Sequence, residues 1–233
     1  MRAMRGLGRI TGAAAAIALT AGLVAPAGAA PVDYDIDSAH SLQVVVNKHR
    51  KLAPETYVPD RLTRVQSERL QAAAAEAFQG MTRAARADGV HIVPVSGYRS
   101  YAEQASLYDS YVRQYGQETA DTIAARPGHS EHQTGLAMDV GNADGACALQ
   151  DCFEGTPVGD WVRKNAHRHG FIVRYPEDRQ EWTGYAYEPW HLRYVGPQLV
   201  AELRADAAAE GSAELDTLEE YFGLGPAPDY PAG

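Results

Sequence analysis

The sequence predicts an α+β fold, in which a small central antiparallel or mixed sheet is flanked by helices. Short apolar segments and helical segments alternate irregularly along the chain, without the regular strand–helix–strand units of a parallel sheet. Residues 135–140 also alternate as a half-buried strand does, with Leu136 and Met138 on one side and Asp139 on the other. An acidic side chain is thus expected on a strand whose opposite face is apolar.

The other elements follow from propensity and from the residues that end them. The alanine-rich residues 67–87, with repeated Glu and Arg, are typical of a helix that Gly89 ends. Ser100 is a suitable N-cap for a second helix, which Gly116 ends. Strands are predicted at 44–46, 91–96, 135–140, 171–174 and 190–195, and helices at 67–87, 101–115, 158–169, 197–210 and 215–224.

Both ends of the chain are predicted to lie outside the domain of residues 30–225. Residues 1–29 have a basic start, a short apolar stretch and small residues at Ala27 and Ala29, which is the order of a secretory signal peptide. A retained membrane anchor is the alternative, although the apolar stretch is short and interrupted by glycine. The Pro/Gly-rich residues 226–233 are predicted to be a disordered tail.

Charge and cysteine content restrict the class of protein. The formal net charge of −9 makes nucleic acid a poor partner, and no internal apolar segment is long enough for stable membrane insertion of the mature chain. In an exported protein, the close pair Cys147 and Cys152 predicts a disulfide. The alternative of two thiolate metal ligands lacks a second pair. We expect a secreted monomer.

Two motifs contain the groups that a hydrolytic zinc site requires. His132 and Asp139 lie in SEHQTGLAMDV, and Glu188 and His191 lie in YEPWHLRY further along the chain. Two imidazoles and one carboxylate are three zinc ligands that leave a position open for water, and a second carboxylate can deprotonate that water. We therefore expect His132, Asp139 and His191 on the metal and Glu188 beside it.

Arg99 is a further candidate, because it follows the end of a predicted strand. A fixed guanidinium can bind a carboxylate or stabilise a developing oxyanion, and a surface salt bridge is the ordinary alternative. Each of these residues taken singly is more often structural or solvated. Only their combination favours a functional site.

Five segments then match one family in order. They are VNKHRKLAPETYVPDRL (46–62), SGYRSYAEQ (96–104), GHSEHQTGLAMDV (128–140), EPWHLRYVG (188–196) and LEEYFGL (218–224). Together they resemble the VanY-type D-alanyl-D-alanine carboxypeptidases, in the zinc peptidase group that also includes the VanX dipeptidases and the hedgehog amino-terminal domain. The resemblance implies a hedgehog/DD-peptidase-like fold and one Zn²⁺ per chain on the three ligands above.

The resemblance also implies roles in substrate binding. Gln104 and Ser130 match polar positions that hold the terminal D-residue, Trp190 matches an aromatic residue lining the site, and Arg99 matches the substrate arginine. The implied partners are peptidoglycan stem peptides ending in D-Ala, hydrolysed after Glu188 activates the water on zinc. The insertion around the two cysteines is not expected throughout the family, so its effect on the rim of the site is open.

Several alternatives share the same metal site. An L,D-carboxypeptidase or a peptidoglycan endopeptidase would differ only in the shape of its pocket. A non-catalytic zinc-binding module would not need both Glu188 and Arg99. A cytosolic VanX-like dipeptidase is disfavoured by the signal peptide and by residues 46–62.

Overall fold

A four-stranded antiparallel sheet forms the centre of the structure, a computed structural model that describes residues 32–231. Its strand order is β3-β4-β6-β5, and β1 and β2 form a separate hairpin. The strands are β1 (Leu62–Val65), β2 (Glu68–Gln71), β3 (Ile92–Ser96), β4 (Ala137–Asn142), β5 (Phe171–Tyr175) and β6 (Glu188–Tyr194). The helices are α1 (Ala72–Ala87), α2 (Tyr101–Tyr115), α3 (Gln117–Ile123), α4 (Pro157–Asn165), α5 (Gln180–Thr183), α6 (Pro197–Glu210) and α7 (Leu218–Tyr221). The predicted α+β class with a small antiparallel sheet is confirmed.

Helices cover both faces of the sheet at strand β5. Phe171 and Ile172 are consecutive on β5, so their side chains point to opposite faces. Phe171 packs edge-on against Phe78 of α1, with 6.2 Å between the ring centres. Ile172 instead belongs to an apolar cluster with Leu199 and Leu203 of α6. The buried face of α1 is otherwise mostly alanine, which lets the helix approach the sheet closely.

An irregularity in β6 brings two chemical groups to one side of the sheet. Val173 pairs with Leu192, but Tyr175 pairs with Glu188, so β6 contains extra residues between the two pairs. In a regular strand, residues three apart point to opposite faces. The bulge therefore explains how Glu188 and His191 line the same cleft.

The structure differs from the predicted elements at three places. Residues 67–71 were expected to begin a helix, but β2 pairs with β1 there, because the buried Leu70 and the hydrogen bond from Gln71 N to Gly135 O favour an extended chain. Residues 44–46 are buried but form no strand. The helix expected over 158–169 ends at Asn165 and continues as a 3-10 turn.

Residues 226–231 make polar contacts with the rest of the domain. Residues 226–231 fall within the predicted disordered tail, but Pro228 O accepts a hydrogen bond from Lys48 Nζ at 2.8 Å. The hydroxyl of Tyr230 accepts one from Arg126 N at 2.8 Å. A buried lysine and the hydroxyl of Tyr230 thus link residues 226–231 to the domain, and the disorder expected of 226–233 stays a prediction.

The predicted signal peptide, residues 1–29, lies outside the described residues. From residue 32 to residue 231, no helix is both long enough and apolar enough to cross a membrane.

Candidate active site

The three predicted metal ligands meet on the floor of a cleft. His132 lies in a 3-10 turn, Glu131–Thr134, directly before β4. Asp139 on β4 and His191 on β6 are paired partners in the sheet. One ligand atom from each of the three residues lies within 4.8 Å of the others, and all three side chains are buried. The sheet register therefore brings the two distant motifs together.

Each imidazole directs one nitrogen towards Asp139 and the other towards a supporting oxygen. His132 Nδ1 lies 2.8 Å from Gly97 O, while its Nε2 lies 3.3 Å from Asp139 Oδ2. His191 Nδ1 lies 2.9 Å from Asp139 Oδ1, while its Nε2 lies 3.3 Å from Glu131 Oε2. The donor atoms available to a metal are thus His132 Nε2, His191 Nδ1 and the Asp139 carboxylate.

Only glycine fits at residue 97, because the backbone of β2 passes very close to its Cα atom. A Cβ atom there would lie 2.6 Å from Arg69 O, closer than real side chains come. The next residue, Tyr98, donates its N–H to the same Arg69 oxygen at 2.7 Å. A side chain at residue 97 would displace the backbone whose carbonyl orients His132.

The electrostatics of these groups suit a divalent cation. Burial, reinforced by the charge of Arg99, lowers the pKa of His132, which favours the neutral imidazole that a metal binds. Burial opposes ionisation of Asp139, but His132 and His191 hold its pKa well below the usual range. Burial alone would lower the pKa of His191, as it does for His132. The hydrogen bonds of His191 to Asp139 and Glu131 instead raise its pKa to about 10. A metal can replace a proton at such a site, and two imidazoles with one carboxylate fit zinc.

Glu188 lies beside the ligands. Its Oε2 is 3.8 Å from His191 Nδ1, and its side chain is 19% exposed, more than those of the ligands. Burial raises its pKa to about 7, with opposing contributions from His191 and Asp139. A carboxyl group with a pKa near neutrality can both take and return a proton.

Arg99 is held in place by Gln104. Arg99 Nη1 donates to Gln104 Oε1 at 2.7 Å, and Arg99 Nη2 donates to Ser96 Oγ at 2.8 Å. The amide nitrogen of Gln104 donates in turn to Ala125 O at 2.6 Å. Both ends of the Gln104 amide are therefore used within the protein, which makes Gln104 a support for the guanidinium in this structure.

The cleft has a volume of about 420 Å³ and contains all the predicted site residues. Its floor and near wall are lined by Arg99, Gln104, Ser130, Glu131, His132, Asp139, Glu188, Trp190 and His191. Seven further lining residues, which we call the rim, are Leu107, Tyr111, Tyr115, Ile123, Leu149, Asp151 and Tyr187. Cys147 and Cys152 form the predicted disulfide, and the loop between them contributes Leu149 to this rim.

Sequence reasoning missed the buried charges behind the floor. Glu131 is fully buried and accepts hydrogen bonds from Arg174 Nε at 2.9 Å and Arg193 Nη1 at 2.6 Å. Arg174 also pairs with the buried Glu219. The available signal was an arginine inside each of two otherwise apolar strands, FIVRY and HLRYV, since a buried arginine requires an acidic partner.

Known proteins are similar to this chain in sequence and in fold. A family model described as VanY, D-alanyl-D-alanine carboxypeptidase, matches residues 67–197. The Bacillus subtilis protein YodJ is 39% identical over 198 residues, which are 80% of this chain and 69% of YodJ. A solved structure of the LD-carboxypeptidase LdcB has a TM-score of 0.71 and 37% identity, covering 80% of this chain and 88% of that one.

The vancomycin resistance D,D-pentapeptidase VanY, solved in complex with Zn(II), is a further structural relative. It has a TM-score of 0.63 and 33% identity, over 77% of this chain and 97% of its own. The family match includes the motif of His132 and Asp139 and the motif of Glu188 and His191. Since that match spans more than half of the sequence, this chain belongs to the VanY family of D-alanyl-D-alanine carboxypeptidases.

Proposed function

We propose that this protein is an exported, zinc-dependent carboxypeptidase that removes the terminal D-alanine from peptidoglycan stem peptides. One observation carries the proposal: His132, Asp139 and His191 converge within 4.8 Å at the floor of a cleft that also contains Glu188 and Arg99. This arrangement provides metal ligands, a base and a cation for the substrate in a single cavity.

The metal would be held by His132 Nε2, His191 Nδ1 and the Asp139 carboxylate. When bound, zinc supplies a Lewis acid that makes a water molecule a nucleophile at neutral pH and stabilises negative charge on the reacting carbonyl. Glu188 accepts the proton of the attacking water and returns it to the departing amine.

Arg99 gives the site its preference for the end of a chain. Its guanidinium is fixed by Ser96 and Gln104, and it lines the cleft close enough to His132 to influence that residue's pKa. A fixed guanidinium binds a free carboxylate through charge-assisted hydrogen bonds. Arg99 thus selects a peptide with a free C-terminus, while Ser130 and Trp190 line the wall beside it.

A second candidate is an L,D-carboxypeptidase, which would release D-alanine from a tetrapeptide stem. The likeness to LdcB favours it, with a TM-score of 0.71 compared with 0.63 for VanY. Export is supported by the sequence pattern of residues 1–29. An exported enzyme of either kind would meet its substrate in the cell wall.

The test is mass spectrometry of defined muropeptides after incubation with the zinc-loaded enzyme. Release of D-alanine from pentapeptide stems supports the D,D-activity, and release only from tetrapeptide stems supports the second candidate. A chelator should abolish release in either case.

Glu188→Gln should lower kcat by about 10²- to 10⁴-fold, the range for a positioned base. Zinc content should stay at the wild-type level in this variant, because Glu188 stands beside the ligands. A fully active Glu188→Gln enzyme would refute the mechanism.

A further inference from the structure

We propose that Glu131 is a positioning residue that sets the chemical form of His191. Its carboxylate holds the ring proton of His191 on Nε2, so that Nδ1 presents its lone pair to the metal. This inference rests on the proposed zinc site and concerns how the chain prepares that site. Glu131 itself is not a ligand, since it faces the nitrogen of His191 that points away from Asp139.

The two oxygens of Glu131 have separate partners. Oε1 accepts hydrogen bonds from Arg174 Nε at 2.9 Å and from Arg193 Nη1 at 2.6 Å. Oε2 lies 3.3 Å from His191 Nε2. An ionised carboxylate only accepts hydrogen bonds, so the nitrogen that faces it must carry the proton. The other nitrogen, Nδ1, faces the Asp139 carboxylate at 2.9 Å, and there a metal can replace the ring proton.

The arginines also fix the orientation of the carboxylate. Glu131, Arg174 and Arg193 have no exposed side-chain surface, so water cannot replace these bonds. Two N–H donors point at Oε1, and only an acceptor can occupy that position. The other end of the side chain is therefore directed at His191.

This geometry gives Glu131→Gln a specific consequence. The amide oxygen must take the position of Oε1, because a donor there would face the N–H groups of Arg174 and Arg193. The amide NH₂ group then takes the position of Oε2 and donates to His191 Nε2. The ring proton moves to Nδ1, the atom that binds the metal. The variant thus reverses the hydrogen bond to His191.

Glu219 provides a matched control in the same buried cluster. Its oxygens accept hydrogen bonds from Arg174 Nη1 at 2.9 Å, Arg174 Nη2 at 2.6 Å and Asn47 Nδ2 at 2.9 Å. Glu219→Gln removes the same buried charge from the same arginine, but Glu219 makes no hydrogen bond to His191. A general loss of stability should therefore affect both variants, whereas an effect through His191 should affect only Glu131→Gln.

The experiment measures zinc affinity by chelator competition in the wild type and both variants, with the thermal midpoint of each metal-free protein. Loss of a group that orients a metal ligand typically costs about 10- to 100-fold in affinity. We expect that loss for Glu131→Gln and less than about 3-fold for Glu219→Gln, well below that range. In addition, ¹⁵N NMR of the zinc-loaded wild type should place the His191 ring proton on Nε2.

Two results would overturn the inference. One is equal zinc affinity in the two variants, and the other is a His191 ring proton on Nδ1 in the zinc-loaded wild type. If the wild type binds zinc and releases D-alanine while the variants bind equally, only the role of Glu131 fails. If the wild type binds no zinc, the proposed function itself fails.

Discussion

The floor and the rim of the cleft are built in different ways. The floor consists of side chains from β4, β6 and the turn before β4, and its proposed ligands His132, Asp139 and His191 are only 3–6% exposed. Each of these groups is fixed by hydrogen bonds to other buried groups. The floor therefore has a single arrangement, which a metal site needs.

The rim includes exposed apolar side chains from three separate elements. Tyr115 of α2, Ile123 of α3 and Leu149 of the disulfide loop are 47%, 42% and 46% exposed. All three side chains line the same cleft as the buried groups of the floor. We therefore propose that the floor performs the chemistry and that the rim selects the part of the substrate before the terminal residue.

Removing the charge of Asp139 should have the largest effect. Asp139→Asn removes a ligand of the floor, so zinc affinity should fall by more than about 100-fold, beyond the cost of changing a supporting group. Activity should fall to the level of the chelator-treated wild type. Zinc content by atomic absorption and D-alanine release measure the two effects.

Glu188→Gln is the matched control for this prediction. It removes a carboxylate charge from the same cleft, and it should retain zinc while losing activity. If Asp139→Asn kept its zinc and Glu188→Gln lost it, the assignment of ligand and base within the floor would be reversed.

The floor was largely predictable from sequence, whereas its supports were not. Imidazole and carboxylate groups in two motifs predict a metal site by chemistry alone, and the alternation around Asp139 predicts its strand. The support from Glu131 depends on its burial between Arg174 and Arg193, which come from strands far along the chain. A single sequence contains no information on which of its many acidic residues is enclosed in this way.

The hairpin of β1 and β2 was missed for a similar reason. Residues 67–71 have helical propensity, but their backbone groups pair with residues 62–65 and with Gly135. Tertiary pairing overrides local propensity when it satisfies buried backbone groups. The rim was missed because its members are close only after α2, α3 and the disulfide loop have packed around the sheet.

The free energy of unfolding should depend on Asp121, which links the two helices that carry part of the rim. We expect an effect between that of Asp139→Asn and that of opening the disulfide loop. Asp121 joins α3 to α2 by accepting a hydrogen bond from Tyr108 Oη at 2.6 Å, and it pairs with Arg126 at 2.8 Å. The Asp121 side chain is 19% exposed, so solvent screens part of this interaction. Asp121→Asn should therefore destabilise the protein by about 1–2 kcal/mol at pH 7. Urea denaturation measures the change.

The pH dependence of this effect follows from the same contacts. Although burial opposes it, the hydrogen bonds from Arg126 and Tyr108 lower the pKa of Asp121. Stability from a lowered pKa is fully present above the unfolded value of about 3.9 and is lost as pH falls through the folded value. The difference between wild type and Asp121→Asn should thus shrink below about pH 4. An equal difference at pH 7 and pH 3 would contradict this account. Asp109 lies on the exposed side of α2, so Asp109→Asn is the control and should change stability little at pH 7.

The smallest effect is expected from opening the disulfide loop. Cys147 and Leu149 have φ angles of 52° and 53°, in the left-handed region that residues with side chains rarely adopt. Without the cross-link, we expect this loop to relax and Leu149 to leave the rim. Ordering one side chain on binding costs about 0.5–1.5 kcal/mol, so KM should rise by about 2- to 10-fold in the Cys147→Ser/Cys152→Ser variant. The kcat and the zinc affinity should not change, because the floor does not involve the loop.

Leu149→Ser separates the side chain from the loop that carries it. This variant keeps the disulfide and removes the apolar contact, so it should raise KM to the same extent if the loop acts through Leu149. Both variants should raise KM for a full stem peptide but not for a short acyl-D-Ala-D-Ala substrate that ends before the rim. An equal rise in KM for both substrates would place Leu149 at the terminal residue instead, and the division between a reactive floor and a selective rim would then be wrong.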